Sequence, residues 1–112
     1  MVEVIWSPRS LKDIDEIAGY ISKNSIQYAE EQVRQFFTKA KLLERHPLSG
    51  RMVPELKIFS VRQILCGHYR IIYEILNRQK ISIVTIHHQS RLVENNSAIK
   101  RLAKKKKKKK KK

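Results

Sequence analysis

A chain of 112 residues with 25 basic and 10 acidic side chains, a net charge of +15, is long enough for one modest domain and suited to anionic partners. The nine lysines at 104–112 carry much of that charge, but without them 16 basic residues still face 10 acidic ones, a net of +6. The lone Cys66 excludes an intramolecular disulfide or a cysteine zinc cluster; with no basic leader before an apolar run and no apolar stretch near the ~18 residues that span a bilayer, the chain is expected to be cytoplasmic and free of membrane.

Val2 to Trp6 is apolar and β-branched and predicts a short strand, stopped by Ser7-Pro8. Ser10, with Asp13 three residues on, fits the start of a helix over about 10–23, where an acid is favoured. Leu11, Ile14, Ile17, Ala18 and Ile21 form its apolar face. Ser25 can cap a second helix directly, and Ala29, Val33, Phe36, Ala40 and Leu43 alternate spacings of four and three along one seam. His46-Pro47 ends it, because proline has no amide to donate and disfavours helix at the residue before it. Two amphipathic helices with almost no loop between them form an antiparallel hairpin that needs a surface to cover.

Three strand-like runs supply that surface, at about 57–65, 69–76 and 81–88. Cys66-Gly67-His68 and Asn77-Arg78-Gln79-Lys80 are short enough for hairpin connections. Strict alternation puts Tyr69, Ile71, Tyr73 and Ile75 on one face and Arg70, Ile72 and Glu74 on the other. In the last run it groups Ile81, Ile83, Thr85 and His87 against Ser82, Val84, Ile86 and His88. One face can pack on the hairpin, leaving apolar groups such as Ile72 and Ile86 open to a partner. Periodicity is lost from Asn95; Ala98 to Ala103 can add a last helical turn, and lysine repulsion predicts disorder beyond. The expected organisation is thus an α+β domain over residues 1–95, ordered β-α-α-β-β-β with a three-stranded antiparallel meander, and a basic disordered tail over 96–112.

Several segments together carry a resemblance: VIWSPRSLKDIDEIAGYI, LLERHPLSGRMVPEL, VRQI, YRIIYEI and IVTIHHQSR, in this order over about residues 2–91. The chain resembles the RelE/ParE superfamily of bacterial type II toxins. The resemblance implies a compact toxin neutralised by a cognate antitoxin that wraps it, possible as a heterotetramer. It also implies one of two activities: poisoning of DNA gyrase, the ParE type, or ribosome-dependent messenger RNA cleavage, the RelE type.

A metal-independent ribonuclease activates a 2′-hydroxyl, stabilises charge on the phosphate and protonates the leaving oxygen, using acid–base groups and arginines. Arg62, Arg70, His87, His88 and Arg91 are the candidate catalytic residues for the RelE-type alternative. Nothing aromatic follows Tyr73, whereas the nuclease branch commonly carries an aromatic hydroxyl there, and this favours the ParE type. His87 and His88 are adjacent on a strand, point to opposite faces, and cannot chelate one metal; no cofactor or metal is expected. Arg70 has a competing structural reading as the partner of Glu74 or Glu55, and Tyr69, Tyr73 and Trp6 read as core.

Overall fold

The computed structural model describes the backbone of residues 1–110 and side chains as far as Lys106. The chain runs β1 (Glu3–Trp6), α1 (Pro8–Ser22), α2 (Ile26–Lys41), β2 (Arg51–Met52), β3 (Val61–Cys66), β4 (Tyr69–Asn77), β5 (Lys80–His88) and α3 (Ser97–Lys110), with single 3-10 turns at Leu42–Glu44 and Val93–Asn95. The sheet has five strands in the order β1-β5-β4-β3-β2. The meander β3-β4-β5 is antiparallel as expected, β1 lies parallel along β5, and β2 adds a short antiparallel edge.

The first helix starts earlier than the sequence pattern suggested. Ser7, not Ser10, is the N-cap: its Oγ accepts from the Ser10 amide at 3.0 Å, and Pro8 stands in the first turn, where its missing N–H costs nothing. Ser25 caps α2 through the Tyr28 amide at 3.1 Å. Ile14, Phe36, Ala40 and Leu43 then meet Tyr69, Ile71, Tyr73, Ile81, Ile83 and Ile86 in the main core, so the hairpin covers one sheet face.

β3 does not begin at residue 57. Lys57 holds a left-handed φ of 53°, which breaks an extended run, and Val61 is the first residue paired to β4. Gly67, at φ +59°, turns the β3–β4 hairpin with His68.

β5 departs from strict alternation at Val84. Ile72 pairs with Thr85 and Tyr73 with Ile83, so Val84 has no opposite residue and forms a bulge. Beyond it the faces exchange: Ile81, Ile83 and Ile86 enter the core under the hairpin, while Val84 packs on the other side. Thr85 and His87 bond to Asn96 ahead of α3. The expected grouping of Ile81 and Ile83 with Thr85 and His87 is corrected by this one inserted residue.

The second face is covered by the chain itself. Val53, Val61, Ile72, Val93, Ile99 and Leu102 form a second buried cluster, with Leu56, Ile58 and Val84 against it. Ile72 is 0 % and Ile86 5 % exposed, so neither is the open apolar surface that alternation suggested. The expected disordered tail is corrected with it. Residues 97–110 are helical, because Ile99 and Leu102, three apart, give the segment an apolar side that the sheet buries. Residues 111–112, part of that expectation, lie outside the described residues.

Candidate functional site

Of the five cationic candidates, His87, His88 and Arg91 line one groove, and Arg62 and Arg70 lie outside its lining. Arg70 and His87, directly paired across β4 and β5, sit on the α3 side of the sheet. Arg70 makes a bidentate pair with Glu55, Nη1 to Oε1 at 2.9 Å and Nη2 to Oε2 at 2.8 Å, and also donates to Gln63 Oε1 at 3.1 Å. Such a fork on a carboxylate is the strongest geometry an arginine can adopt. The guanidinium holds the Glu55 carboxyl below its ordinary pKa. Of the two partners that the sequence suggested for Arg70, Glu55 is the one it has.

His87 belongs to a buried polar network. Its Nδ1 accepts from Asn96 Nδ2 at 3.1 Å, and its Nε2 donates to the Arg91 carbonyl at 3.0 Å. Both ring nitrogens are thus satisfied in one neutral tautomer. Burial holds its pKa below the ordinary imidazole value, the Arg91 carbonyl opposing that shift and the Arg70 charge adding to it. Asn96 Nδ2 also donates to Thr85 Oγ1 at 3.2 Å, while its Oδ1 accepts from the Ala98 and Ile99 amides at 3.0 and 3.2 Å. Asn96 therefore caps α3 and ties it to β5 with one side chain.

Asp13 completes the network from the opposite direction. It does not serve the start of α1; its Oδ2 accepts from Thr85 Oγ1 and from the Ile86 amide, the latter at 3.0 Å. β1 ends its pairing opposite Ile83, so Asp13 takes an amide on the β5 edge that β1 leaves unpaired. Arg9 holds Asp13 at 3.0 Å through Nε and reaches Ser97 Oγ at 2.8 Å through Nη1. Asp13, Asn96 and Arg9 were not among the candidates read from the sequence. Asn96 standing one residue before Ser97-Ala98-Ile99 was a readable cap signal; the Asp13 contact, 73 residues away in sequence, had none.

Arg62 lies at the far side of the sheet, paired with Tyr73 and Met52. Its Nη1 donates to the Gly50 carbonyl at 2.8 Å, its Cζ stands 4.6 Å from the centre of the Phe59 ring, and its Nε is buried without a partner. The loop it holds is fixed again by Tyr73, whose Oη donates to the Pro47 carbonyl at 2.9 Å and accepts from the Gly50 amide at 3.0 Å.

His88 and Arg91 open on a groove of about 1060 Å³ between α1 and the end of β5, whose wall also includes His87, Asp13 and Asn96. Lys12, Tyr20 and Tyr69 line it with them. The His88 ring meets Tyr69 edge-on at 5.2 Å and lies parallel to His68 at 6.3 Å; its Nδ1 accepts from the Ser90 amide at 3.1 Å. Burial raises the Tyr69 pKa, so the phenol is neutral at physiological pH. Aromatic faces beside the Arg91 and Lys12 cations are chemistry that acidic or aromatic groups can meet. His87 and His88 point to opposite sides, as expected of neighbours on a strand.

The model of the ParE toxin of the type II toxin–antitoxin system parDE matches residues 4–93. The chain belongs to the ParE toxin family. The match takes in the hairpin, all of β2 to β5 and the groove apart from Asn95 and Asn96, and stops before the α3 segment. The fold agrees with a solved structure described as the chromosomal ParDE TA system from P. aeruginosa: TM-score 0.65 at 19 % identity, covering 79 % of this chain and 96 % of that one. No curated protein matches the chain. This ParE-family fold is α+β with a mixed sheet, extended beyond the expected meander by the parallel β1 and the short β2. Among the described residues no helix is long and apolar enough to cross a membrane.

Proposed function

We propose that this ParE-family toxin arrests growth by binding DNA gyrase and stalling its DNA-breaking cycle, without catalysis of its own. In this reading it acts in the cytoplasm and is neutralised by a cognate antitoxin, in a heterotetramer with it. The observation that carries it is the condition of the cations a nuclease would need. Arg70 is forked onto Glu55, and both His87 nitrogens are engaged within the fold. Arg62 is tied to a loop carbonyl, and neither it nor Arg70 lines the groove that His87, His88 and Arg91 share. General acid–base chemistry on one phosphate needs such groups within hydrogen-bond reach of the same atoms. A binding surface has no such requirement, and the groove lined by Tyr20, Tyr69, His88 and Arg91 offers one.

Messenger RNA from cells expressing the chain separates this from the RelE type. Growth arrest with unchanged 5′ ends on translated messages is the expected result. Codon-linked cuts that vanish in Arg70→Ala would transfer the chain to the ribosome-dependent nucleases.

A further inference from the structure

The charge of this molecule is concentrated in one element. Residues 97–112 hold eleven basic side chains and no acid, leaving the rest of the chain a net of only +4. The base of α3 is firmly held: Asn96 caps it, Ile99 and Leu102 are 2 % and 7 % exposed, and Lys106 Nζ pairs with Glu74 at 2.8 Å. Lys100, Arg101, Lys104 and Lys105 are exposed on the same helix.

This arrangement has a cost that a ligand can relieve. Lysines at i and i+4 on one helix repel each other, and along α3 Lys104, Lys105 and Lys106 each have a lysine four residues on. A helix of consecutive lysines carries one positive charge per ~1.5 Å of axis. Duplex DNA carries one negative charge per ~1.7 Å of its axis.

Two other anionic partners fit less well. A helix lying on an acidic membrane buries an apolar face in it, and the apolar side of α3, Ile99 and Leu102, is already buried against the sheet. Protein interfaces are depleted in lysine at their centres, and beyond Ala103 the sequence offers nothing else.

We infer that α3 is a DNA-binding arm: anchored on the sheet by Ile99, Leu102 and the Lys106–Glu74 pair, it grips the phosphate backbone of duplex DNA through its lysines without reading sequence. The family model ends at residue 93, so this contact lies outside the part of the chain shared with other ParE toxins. It is independent of the gyrase reading.

The test is binding of a short labelled duplex to the purified chain, without gyrase, as monovalent salt rises. Two variants are compared: a chain ending at Ala103, and a full-length chain with Lys104, Lys105 and the lysines at 107–112 changed to glutamine. The second keeps Lys106 and the helix length in case truncation disturbs the fold. The full chain should bind regardless of sequence and lose roughly 10³-fold in affinity or more between about 50 and 200 mM salt. Both variants should bind at least about 100-fold more weakly at the low-salt end, with a flatter salt dependence. Unchanged binding by the glutamine variant would overturn the proposal. So would tighter binding of the full chain to phosphatidylserine vesicles than to the duplex. Since gyrase is absent from the assay, neither result bears on the gyrase reading.

Discussion

Asn96 Nδ2 lies 3.1 Å from His87 Nδ1, and that hydrogen bond exists only while the imidazole is neutral. Protonation would set two donors against each other at the point where α3 is capped.

A pH dependence follows from that pair. The folded pKa of His87 lies below its ordinary value, so near that value the unfolded chain binds the proton more readily than the folded one. The stability is therefore fully present above the ordinary imidazole pKa of about 6.5 and is lost as pH falls below it. Melting temperature should fall between about pH 7.5 and pH 5, and His87→Gln should flatten that slope. Glu55, whose pKa is also lowered, loses its contribution only below the ordinary carboxylate value of about 4.3, a separate window. An unchanged slope in His87→Gln would place the sensitivity elsewhere.

Gly50 has no room for a side chain. A methyl group there would lie 2.5 Å from Tyr73 Oη and 2.7 Å from the Gln63 carbonyl, and both are held by buried structure. Gly50→Ala should cost about 2–3 kcal/mol by overpacking. Tyr73→Phe, which leaves the Gly50 amide and the Pro47 carbonyl without their partner, should cost about 1–3 kcal/mol. Denaturant unfolding measures both; a loss under half a kilocalorie in either would mean the loop is not pinned by that phenol.

Arg70 and Glu55 should act as a structural pair. The arginine side chain is 12 % and the glutamate 42 % exposed, so solvent screens the pair and its coupling should be near 1 kcal/mol. In a double-mutant cycle Arg70→Ala and Glu55→Ala should be less than additive by about that amount. Each should lower melting temperature while growth arrest persists. Loss of toxicity in Arg70→Ala with an unchanged melting curve would give Arg70 a direct role at the target.

The two amphipathic seams were plain in the sequence because helical periodicity survives any tertiary context that buries one side, although Leu11, expected on the first seam, is 44 % exposed. Phe36, Ala40 and Leu43 are where their spacing put them. The β4 alternation was equally readable, with Tyr69, Ile71 and Tyr73 under the hairpin and Ile72 opposite. What failed did so locally. The Val84 bulge has no compositional mark, yet one inserted residue moves Thr85 and His87 to the other face. Ser10 with Asp13 matched a capping pattern better than Ser7, although Pro8 was the stronger sign of the helix start. Lysine repulsion in the tail drew more weight than Ile99 and Leu102, two residues whose burial orders the segment before them. The candidate cations were found as residue types, but pairing partners such as Glu55 and Asn96 decide what a cation is free to do, and partners are set by tertiary contact.

The most direct measurement is the supercoiling of relaxed plasmid by purified DNA gyrase in the presence of the toxin. The account predicts that supercoiling falls as toxin is added, that gyrase-cleaved DNA accumulates, and that the cognate antitoxin restores activity. Undiminished supercoiling at a large excess of folded toxin would contradict it.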